Sequence, residues 1–269
     1  MGRIGRSFQL VGQSYRILMK DKELMVLPLL SGLVIIAVVV GVGFGFGFDP
    51  ERFQDRGAGV YLPMFLMYVV TYTIGIFFQA AVIAGATERM RGGDPTVGSA
   101  LSAASRRLGS ILAWAIVAAT VGVIIRAIQD RLGFVGKIIA GLLGAAWSLA
   151  TFFVVPVLVL EERSIGDSFT RSVSVFKKTW GETVVGGVSL GIAALCAWVT
   201  LVAVAGLLAM VAGQVAIVVF AVGAVVLMIF FSALQGVYVA SLFRYATDGQ
   251  ADPGFDTALF SQAFVPKKT

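Results

Sequence analysis

The chain has 269 residues, of which 58% are hydrophobic and only 13% are charged. Soluble domains carry about 25% charged residues, so a soluble fold is excluded and lipid is predicted to be the solvent for much of the chain. The formal net charge of +6 is attributed to basic loops at a membrane surface, and nucleic acid is not expected as a partner, because no basic domain lies outside the apolar runs.

The residues that most metal and nucleophilic sites require are scarce. The one cysteine, Cys196, lies in an apolar run, and the chain has no histidine. No disulfide, thiolate cluster, metal site or cofactor is therefore expected. The first apolar run begins near Leu24 and is too long for the core of a cleaved signal peptide, so it is expected to insert as a helix and stay.

Uncharged runs predict an all-α fold, a polytopic bundle of six transmembrane helices forming a single integral membrane domain over residues 1–269. The last uncharged run, Thr183 to Phe243, is long enough to cross twice and is divided at Ala212-Gly213-Gln214. The predicted spans are residues 24–46, 63–87, 108–127, 138–160, 184–210 and 216–243.

The distribution of basic residues predicts the orientation. If the N-terminus is cytoplasmic, 16 of the 21 Lys and Arg residues lie in cytoplasmic segments. Because cytoplasmic loops carry the excess of Lys and Arg, both termini are predicted to be cytoplasmic, in the cell (plasma or inner) membrane.

The segments between these spans repeat a pattern of apolar residues at helical spacing, with basic residues between them. The first copy places Ile4, Phe8, Val11, Tyr15 and Leu18 on one face, and the third copy does the same with Ile165, Phe169, Val173, Phe176 and Trp180. Such amphipathic stretches predict interfacial helices on the cytoplasmic side, over residues 4–20, 95–107, 167–180 and 253–264. The arrangement indicates three units, each an interfacial helix followed by a transmembrane hairpin, and hence an internal repeat.

Aspartates near the starts of these helices are predicted to cap them. Asp94 and Asp252 each precede a proline, and Asp167 opens the third copy. The basic residues Arg106, Arg107, Lys177 and Lys178 are the candidates for contact with lipid headgroups. The alternative is that the apolar faces pack on the protein's own helices and the charges are only solvated.

Several segments resemble an uncharacterised family of bacterial and archaeal six-helix membrane proteins. The similar residues are Lys20 to Leu24, Pro28 to Ser31, Trp147, Pro156, Glu161, Arg171-Ser172 and Thr179 to Glu182. A looser similarity is to the membrane domain attached to some glycerophosphodiester phosphodiesterases, but the chain has no hydrolase domain. The resemblance implies a fold and a membrane location, and no activity.

The string Gly187-Val188-Ser189-Leu190-Gly191 matches the G-x-S-x-G pattern of serine hydrolases. That chemistry needs a base for the serine proton, and no histidine or lysine lies in a span. The preferred interpretation is that Gly187 and Gly191 form a helix-packing face and that the Ser189 hydroxyl bonds back to its own helix. No catalytic residue is therefore predicted.

Polar groups in the spans are few and uncharged. Gln79 and Gln235 are the most polar, and hydrogen bonding between helices is preferred for both over contact with a substrate. The carboxylates Glu88, Glu161, Glu162 and Glu182 lie near basic residues, so ion pairing is preferred over cation binding. Pro28 and Pro156 are expected to kink their spans.

Three functional classes stay open. The leading hypothesis is a non-enzymatic membrane protein that binds membrane lipid or a protein partner, including another copy of itself, at its cytoplasmic interfacial helices. The second is a transporter or permease for a neutral or lipid-like substrate, suggested by the repeat and the six spans. The third is a membrane enzyme acting on lipid, with cytoplasmic carboxylates as acid and base.

Overall fold

The structure, a computed structural model, describes residues 3–46 and 61–248, with the backbone alone for residues 3–10, 13, 46, 61, 181–182 and 248. Every element in these ranges is helical. The elements in chain order are α1 Arg3–Lys20, a 3₁₀ helix Lys22–Met25, α2 Val26–Phe46, α3 Tyr61–Met90, α4 Val97–Ser105, α5 Leu108–Arg131, α6 Gly133–Ala150, α7 Val154–Pro156 with a π-helical turn Val157–Glu161, α8 Ile165–Ala209 and α9 Gly213–Asp248.

Six helical segments of the described ranges are long and apolar enough to cross a membrane, which confirms the predicted class. They are Lys22–Gly45, Leu62–Met90, Leu108–Arg131, Gly133–Glu161, Thr183–Ala209 and Gly213–Thr247. The fifth and sixth are separated by residues 210–212, next to the break proposed from the sequence. At about 1.5 Å per residue, each is long enough for a hydrocarbon core of about 30 Å.

The third and fourth spans form a tight hairpin in which α5 packs against α6. Only Leu132 separates the two helices, and Gly133, the first residue of α6, has a φ of 54°. This left-handed conformation suits glycine, which has no Cβ to clash with its own backbone. Both helices extend beyond the apolar runs, through Arg126 and Lys137, because Arg and Lys are good helix formers.

The fourth span, predicted over residues 138–160 with a kink at Pro156, is interrupted by turn residues rather than only kinked. Helix α6 ends at Ala150, and turn residues 151–153 precede α7 and the π-helical turn. Pro156 lies at this change of helix type, as its missing N–H and bulky ring require. Residues 153–159 are all buried, so the irregular backbone is enclosed by protein, as it must be at membrane depth.

The interfacial helices predicted from the sequence have different outcomes. α1 and α4 are separate helices close to the predicted ranges 4–20 and 95–107. The stretch 167–180 is not a separate helix but the beginning of the 45-residue α8. One glycine, Gly181, costs about 1 kcal/mol in a helix and, with no proline or capping residue beside it, does not end one. The predicted helix 253–264, with Asp252, lies outside the described residues.

The chain divides into two compact units. Unit 1 comprises the described parts of Met1–Pro28, Val82–Ala100 and Lys177–Thr269, and α1 packs there against α9. Its core contains Leu18, Leu24, Ile83, Tyr238 and Leu242. Unit 2 comprises the described parts of Leu29–Ala81 and Leu101–Phe176, with a core that contains Ile111, Trp114, Phe153, Val154 and Leu158.

Candidate functional site

A cluster of ion pairs in unit 2 follows the interrupted fourth span. Both carboxylate oxygens of Glu161 accept hydrogen bonds from the Arg171 guanidinium, at 2.9–3.2 Å, and Glu161 also pairs with Arg163. The next residue, Glu162, pairs with Arg107. The predicted pairing of Glu161 with Arg163 is confirmed. The bidentate ion pair between Glu161 and Arg171, ten residues later, was not predicted from the sequence.

The backbone around this cluster is held by one buried serine. The Ser172 hydroxyl donates to the Ala150 carbonyl at 2.7 Å and accepts from the Phe153 N–H at 3.0 Å. It thereby satisfies a carbonyl and an N–H at the helix interruption, which would otherwise be costly inside apolar surroundings. Glu162 adopts a left-handed conformation with φ 58°, which ends the π-helical turn. Ser172 lies in one of the segments that resemble the uncharacterised family, but nothing in the sequence predicted that its hydroxyl would bond to the backbone at the interruption.

The four residues predicted to meet lipid headgroups fall into two groups. Lys177 and Lys178 are exposed on α8 and form no ion pair with any described residue. Arg106 is exposed and donates to the Ser102 hydroxyl at 3.2 Å. Arg107 is different, because it is only partly exposed and its guanidinium is paired with Glu162. Arg107 is therefore engaged in the structure of unit 2, whereas the other three present their charges outward.

The buried face of α8 is not its apolar face, which the sequence placed at the membrane boundary or, alternatively, against the protein's own helices. The most buried residues lie along one stripe, which consists of Ser168, Ser172, Val175, Thr179, Thr183 and Gly186. The predicted apolar set lies about 80° around the helix, given about 100° per residue, and its last member Trp180 is 62% exposed. Small residues are inside because they let backbones approach closely, while large apolar side chains are equally well solvated by lipid.

The predicted apolar face of α1, by contrast, is buried. Val11 and Leu18 of the predicted apolar set are buried, together with Ile17. Tyr15 is exposed but its ring meets that of Phe230 on α9, with centroids 6.0 Å apart. For the described part of α1, the alternative interpretation is therefore correct, and its apolar face packs on the protein's own helix.

Unit 1 contains a buried electrostatic contact that was not predicted from the sequence. The Asp21 carboxylate lies 3.7 Å from the Arg89 guanidinium, and Arg89 also bonds Asp94 and the Lys20 carbonyl. Burial raises the pKa of the Asp21 carboxyl above its ordinary value, against the lowering effect of Arg89, and the nearby acidic groups add to the rise. The alternating charges of Lys20-Asp21-Lys22-Glu23 did not indicate that the Asp21 carboxylate is buried.

The caps differ from those inferred from the sequence. Thr96, rather than Asp94, caps α4, because its hydroxyl accepts from the Ser99 N–H and the Ser99 hydroxyl accepts from the Thr96 N–H, both at 3.0 Å. Ser99 also donates to Glu88, which the sequence had assigned to ion pairing. Ser164 caps α8, and its hydroxyl donates to the Asp167 carboxylate at 2.6 Å. In the sequence, a threonine or serine three residues before a polar residue could have predicted both caps.

The serine of the hydrolase-like string behaves as predicted. The Ser189 hydroxyl donates to the Val185 carbonyl at 2.9 Å, within its own helix. The predicted packing face on Gly187 and Gly191 is wrong, however, because a Cβ at either position would meet no atom within 4 Å. The close contact is at Gly186, where a Cβ would overlap the buried side chain of Tyr238.

The hydroxyls of the spans bond to their own helices, whereas the glutamines do not fit the prediction. Thr71, Thr73 and Thr120 each donate to the carbonyl four residues earlier. Gln79 and Gln235 are exposed and form no hydrogen bond with any described residue, so the predicted bonds between helices are not formed among the described residues. Each is the one exposed residue in a stretch of its helix, residues 76–90 and 233–243 respectively.

Residues 58–255 match DUF6159, a family of unknown function. The chain belongs to this family. The match covers spans two to six and confirms the resemblance to an uncharacterised family. No curated protein and no solved structure matches the chain. Membership of DUF6159 assigns no activity, and the membrane fold rests on the six long apolar helices.

Proposed function

We propose that this protein binds the headgroups of anionic membrane lipids at the cytoplasmic surface of the cell membrane, through Lys177, Lys178 and Trp180, and catalyses no reaction. The single observation that carries the proposal is the exposure of both lysines beside an exposed tryptophan just before the fifth span. Lys177 lies on the opposite side of α8 from the buried stripe, and Lys178 and Trp180 flank it.

The depth of these residues fits a headgroup site. The fifth span begins at Thr183, so Trp180 lies about 4.5 Å and Lys178 about 7.5 Å before it along the helix. The headgroup region on each side of a bilayer is roughly 5–7 Å thick, and tryptophan is enriched there because its ring is apolar and its N–H is polar. Lys178 and Lys177 begin at the outer edge of this region, and their long flexible side chains reach back to the lipid phosphates. In unit 2, Arg106 is also exposed, whereas Arg107 is occupied by Glu162.

The proposal that no reaction is catalysed is supported by the carboxylates themselves. A carboxylate acting as a general base needs a lone pair directed at its substrate. Glu161 has both oxygens bonded to Arg171, and Glu162 is paired with Arg107. These pairs favour a structural role at the interrupted fourth span. Ser189, which bonds within its own helix, lacks any base to activate it among the described residues.

The lipid proposal predicts a loss of bound lipid when the two lysines are reversed. Each Lys near an anionic surface is worth about 1 kcal/mol, so Lys177→Glu with Lys178→Glu is expected to weaken anionic-lipid binding by at least about 30-fold. The measurement is native mass spectrometry of the protein extracted in mild detergent from membranes containing phosphatidylglycerol. Circular dichroism establishes that the variant is folded.

Two controls make this test specific. Lys177→Arg with Lys178→Arg keeps both charges and is expected to retain lipid at the parent level. Lys137→Glu reverses an exposed lysine on α6, at the predicted external side, and is expected to change retention little. Equal lipid retention by the parent and the folded double Glu variant would overturn the proposal.

The cytoplasmic placement of this site is a separate prediction. Because basic residues are concentrated on one set of loops, reporter fusions after residues 54, 132 and 213 are expected to be external, and those after residues 92, 170 and 250 cytoplasmic. The fusion after residue 132 is the most informative test of the orientation. Arg126, Arg131 and Lys137 surround the turn at Leu132, and basic residues of this kind are usually found in cytoplasmic loops. A cytoplasmic signal there would contradict the proposed orientation.

A second candidate function is transport of a neutral or lipid-like substrate, and one observation in unit 2 favours it. Tyr68, Tyr72 and Gln79 are exposed on one face of α3, and the intervening Gly75 opens onto free space. They supply hydroxyl and amide groups along the second span. The test is the flux of a fluorescent lipid analogue across the membrane of proteoliposomes. Flux that is abolished by Gln79→Leu but unchanged in the Lys177→Glu, Lys178→Glu variant would favour this candidate over the first.

A further inference from the structure

One face of α9 is left exposed by the other described residues along most of the sixth span. Its exposed residues are Ala221, Val225, Met228, Ser232 and Gln235. Their spacing alternates between four and three residues, which is the spacing of a seam along which two helices pack. We call this set the α9 seam. It lies on the opposite side of the helix from the residues that pack within unit 1, which include Gly223 against Leu201 and Phe230 against Tyr15.

Gln235 makes lipid an unfavourable occupant of the α9 seam. It lies nine residues before Arg244, hence about 13 Å along the helix from the first charge, inside the uncharged span. Its carboxamide has two donor hydrogens and an acceptor oxygen, and no described residue bonds to it. Hydrocarbon offers neither donors nor acceptors, so a lipid-facing carboxamide leaves all of these groups unsatisfied.

We infer that the α9 seam is the interface with a second copy of this chain, arranged about a twofold axis perpendicular to the membrane. Copies inserted in the same orientation place Gln235 at the same depth, so the two carboxamides meet. A carboxamide is its own complement, because each one donates to the oxygen of the other. A polar pair at one level of an otherwise apolar seam also selects the register of the two helices.

The contact can be tested by disulfide formation in liposomes that contain only this protein. The exposed Cys196 is first replaced in a Cys196→Ala background. Met228→Cys places a thiol on the α9 seam, and Val226→Cys places one about 160° away around the helix. Met228 and Val226 are both 56% exposed and lie two residues apart, so the positions are matched for exposure and depth. Oxidation is expected to give at least about fivefold more covalent dimer from Met228→Cys.

A second measurement examines the carboxamide pair itself. Gln235→Leu removes both hydrogen bonds of the pair and is expected to weaken dimerisation at least about sevenfold, as counted by single-molecule photobleaching in the same liposomes. Gln235→Asn, which keeps the amide, is expected to retain most of the association.

Three outcomes would overturn the inference. They are equal disulfide yields at positions 226 and 228, no covalent dimer at either position, and an unchanged dimer fraction in Gln235→Leu. The second outcome is also what a lipid-covered seam or a different partner protein would give, since the liposomes contain no other protein. Binding of anionic lipid by Lys177 and Lys178 is independent of all three outcomes.

Discussion

Replacing Gly186 with alanine is expected to lower the free energy of unfolding by about 3 kcal/mol, near the upper end of the usual cost of overpacking. A Cβ at this position would overlap both the hydroxyl and the ring of Tyr238. Tyr238 is only 2% exposed, so its rigid ring has no open space into which it can move. The loss is measured by steric-trapping or detergent-induced unfolding of the purified protein.

The adjacent glycine provides a matched control. Gly187→Ala makes the same chemical change in the same helix, but its Cβ meets no atom within 4 Å. Because alanine is a better helix former than glycine by up to about 1 kcal/mol, this variant is expected to be neutral or slightly stabilised. Tyr238→Leu in the Gly186→Ala background removes the clashing ring and is expected to recover part of the loss. Equal effects at positions 186 and 187 would contradict the packing described for α8 and α9.

Replacing Arg89 with leucine is expected to cost about 2–4 kcal/mol, because it leaves the Asp21 carboxylate in place without its cation. The Asp21 side chain is only 7% exposed, whereas Arg89 is 29% exposed, which keeps the expected cost below that of a fully buried pair. The substitution also removes the bond to the Lys20 carbonyl. The measurement is the same unfolding experiment.

Two variants separate the lost ion pair from other effects of the substitution. Asp21→Asn in the Arg89→Leu background removes the unpaired charge and is expected to recover more than half of the loss. Arg91→Leu changes an exposed arginine in the turn after α3, one that pairs with no described acid, and is expected to have almost no effect. A double variant as unstable as Arg89→Leu would show that the charge on Asp21 is not the cause.

The effect of Arg89→Leu should also depend on pH, with a sign set by Asp21. The pKa of this carboxyl is raised in the folded protein, so the stabilisation from its protonated form is complete below the unfolded value of about 3.9 and is lost as pH rises through the folded value. Without Arg89 the folded-state pKa is expected to rise further. The difference in stability between Arg89→Leu and the parent should therefore shrink as pH falls from 7 towards 4.

The number and approximate limits of the membrane spans were determined by the sequence itself. Absence of charge over about 20 residues is a local property, and the cost of placing charge in hydrocarbon makes it decisive. The same holds for Ser189, since a chain without histidine offers that hydroxyl no imidazole wherever the helices pack. The cap of α4 was also readable in principle, because Thr96 and Ser99 have the required spacing.

The faces on which the helices pack were decided only by the tertiary structure. In water a helix buries its apolar side, and by that rule the set from Ile165 to Trp180, which the sequence placed at the membrane boundary, would instead form the inner face of α8. In lipid that rule fails, because the solvent is as apolar as the protein interior and gives large apolar residues no reason to be inside. The buried stripe from Ser168 to Gly186 is instead selected by close approach of backbones and by hydrogen bonds such as that of Ser172.

The pairing of charges was decided in the same way. Arg106 and Arg107 are adjacent and chemically identical, yet Arg107 is held by Glu162 while Arg106 remains exposed. Gly186 and Gly187 differ equally sharply, since a side chain fits at one and overlaps Tyr238 at the other. Neighbours along a helix point about 100° apart, so what each one meets depends on elements that are distant in the chain. A single sequence specifies the residue types at these positions, and only the packing of the helices selects which of them is buried, paired or left open to lipid.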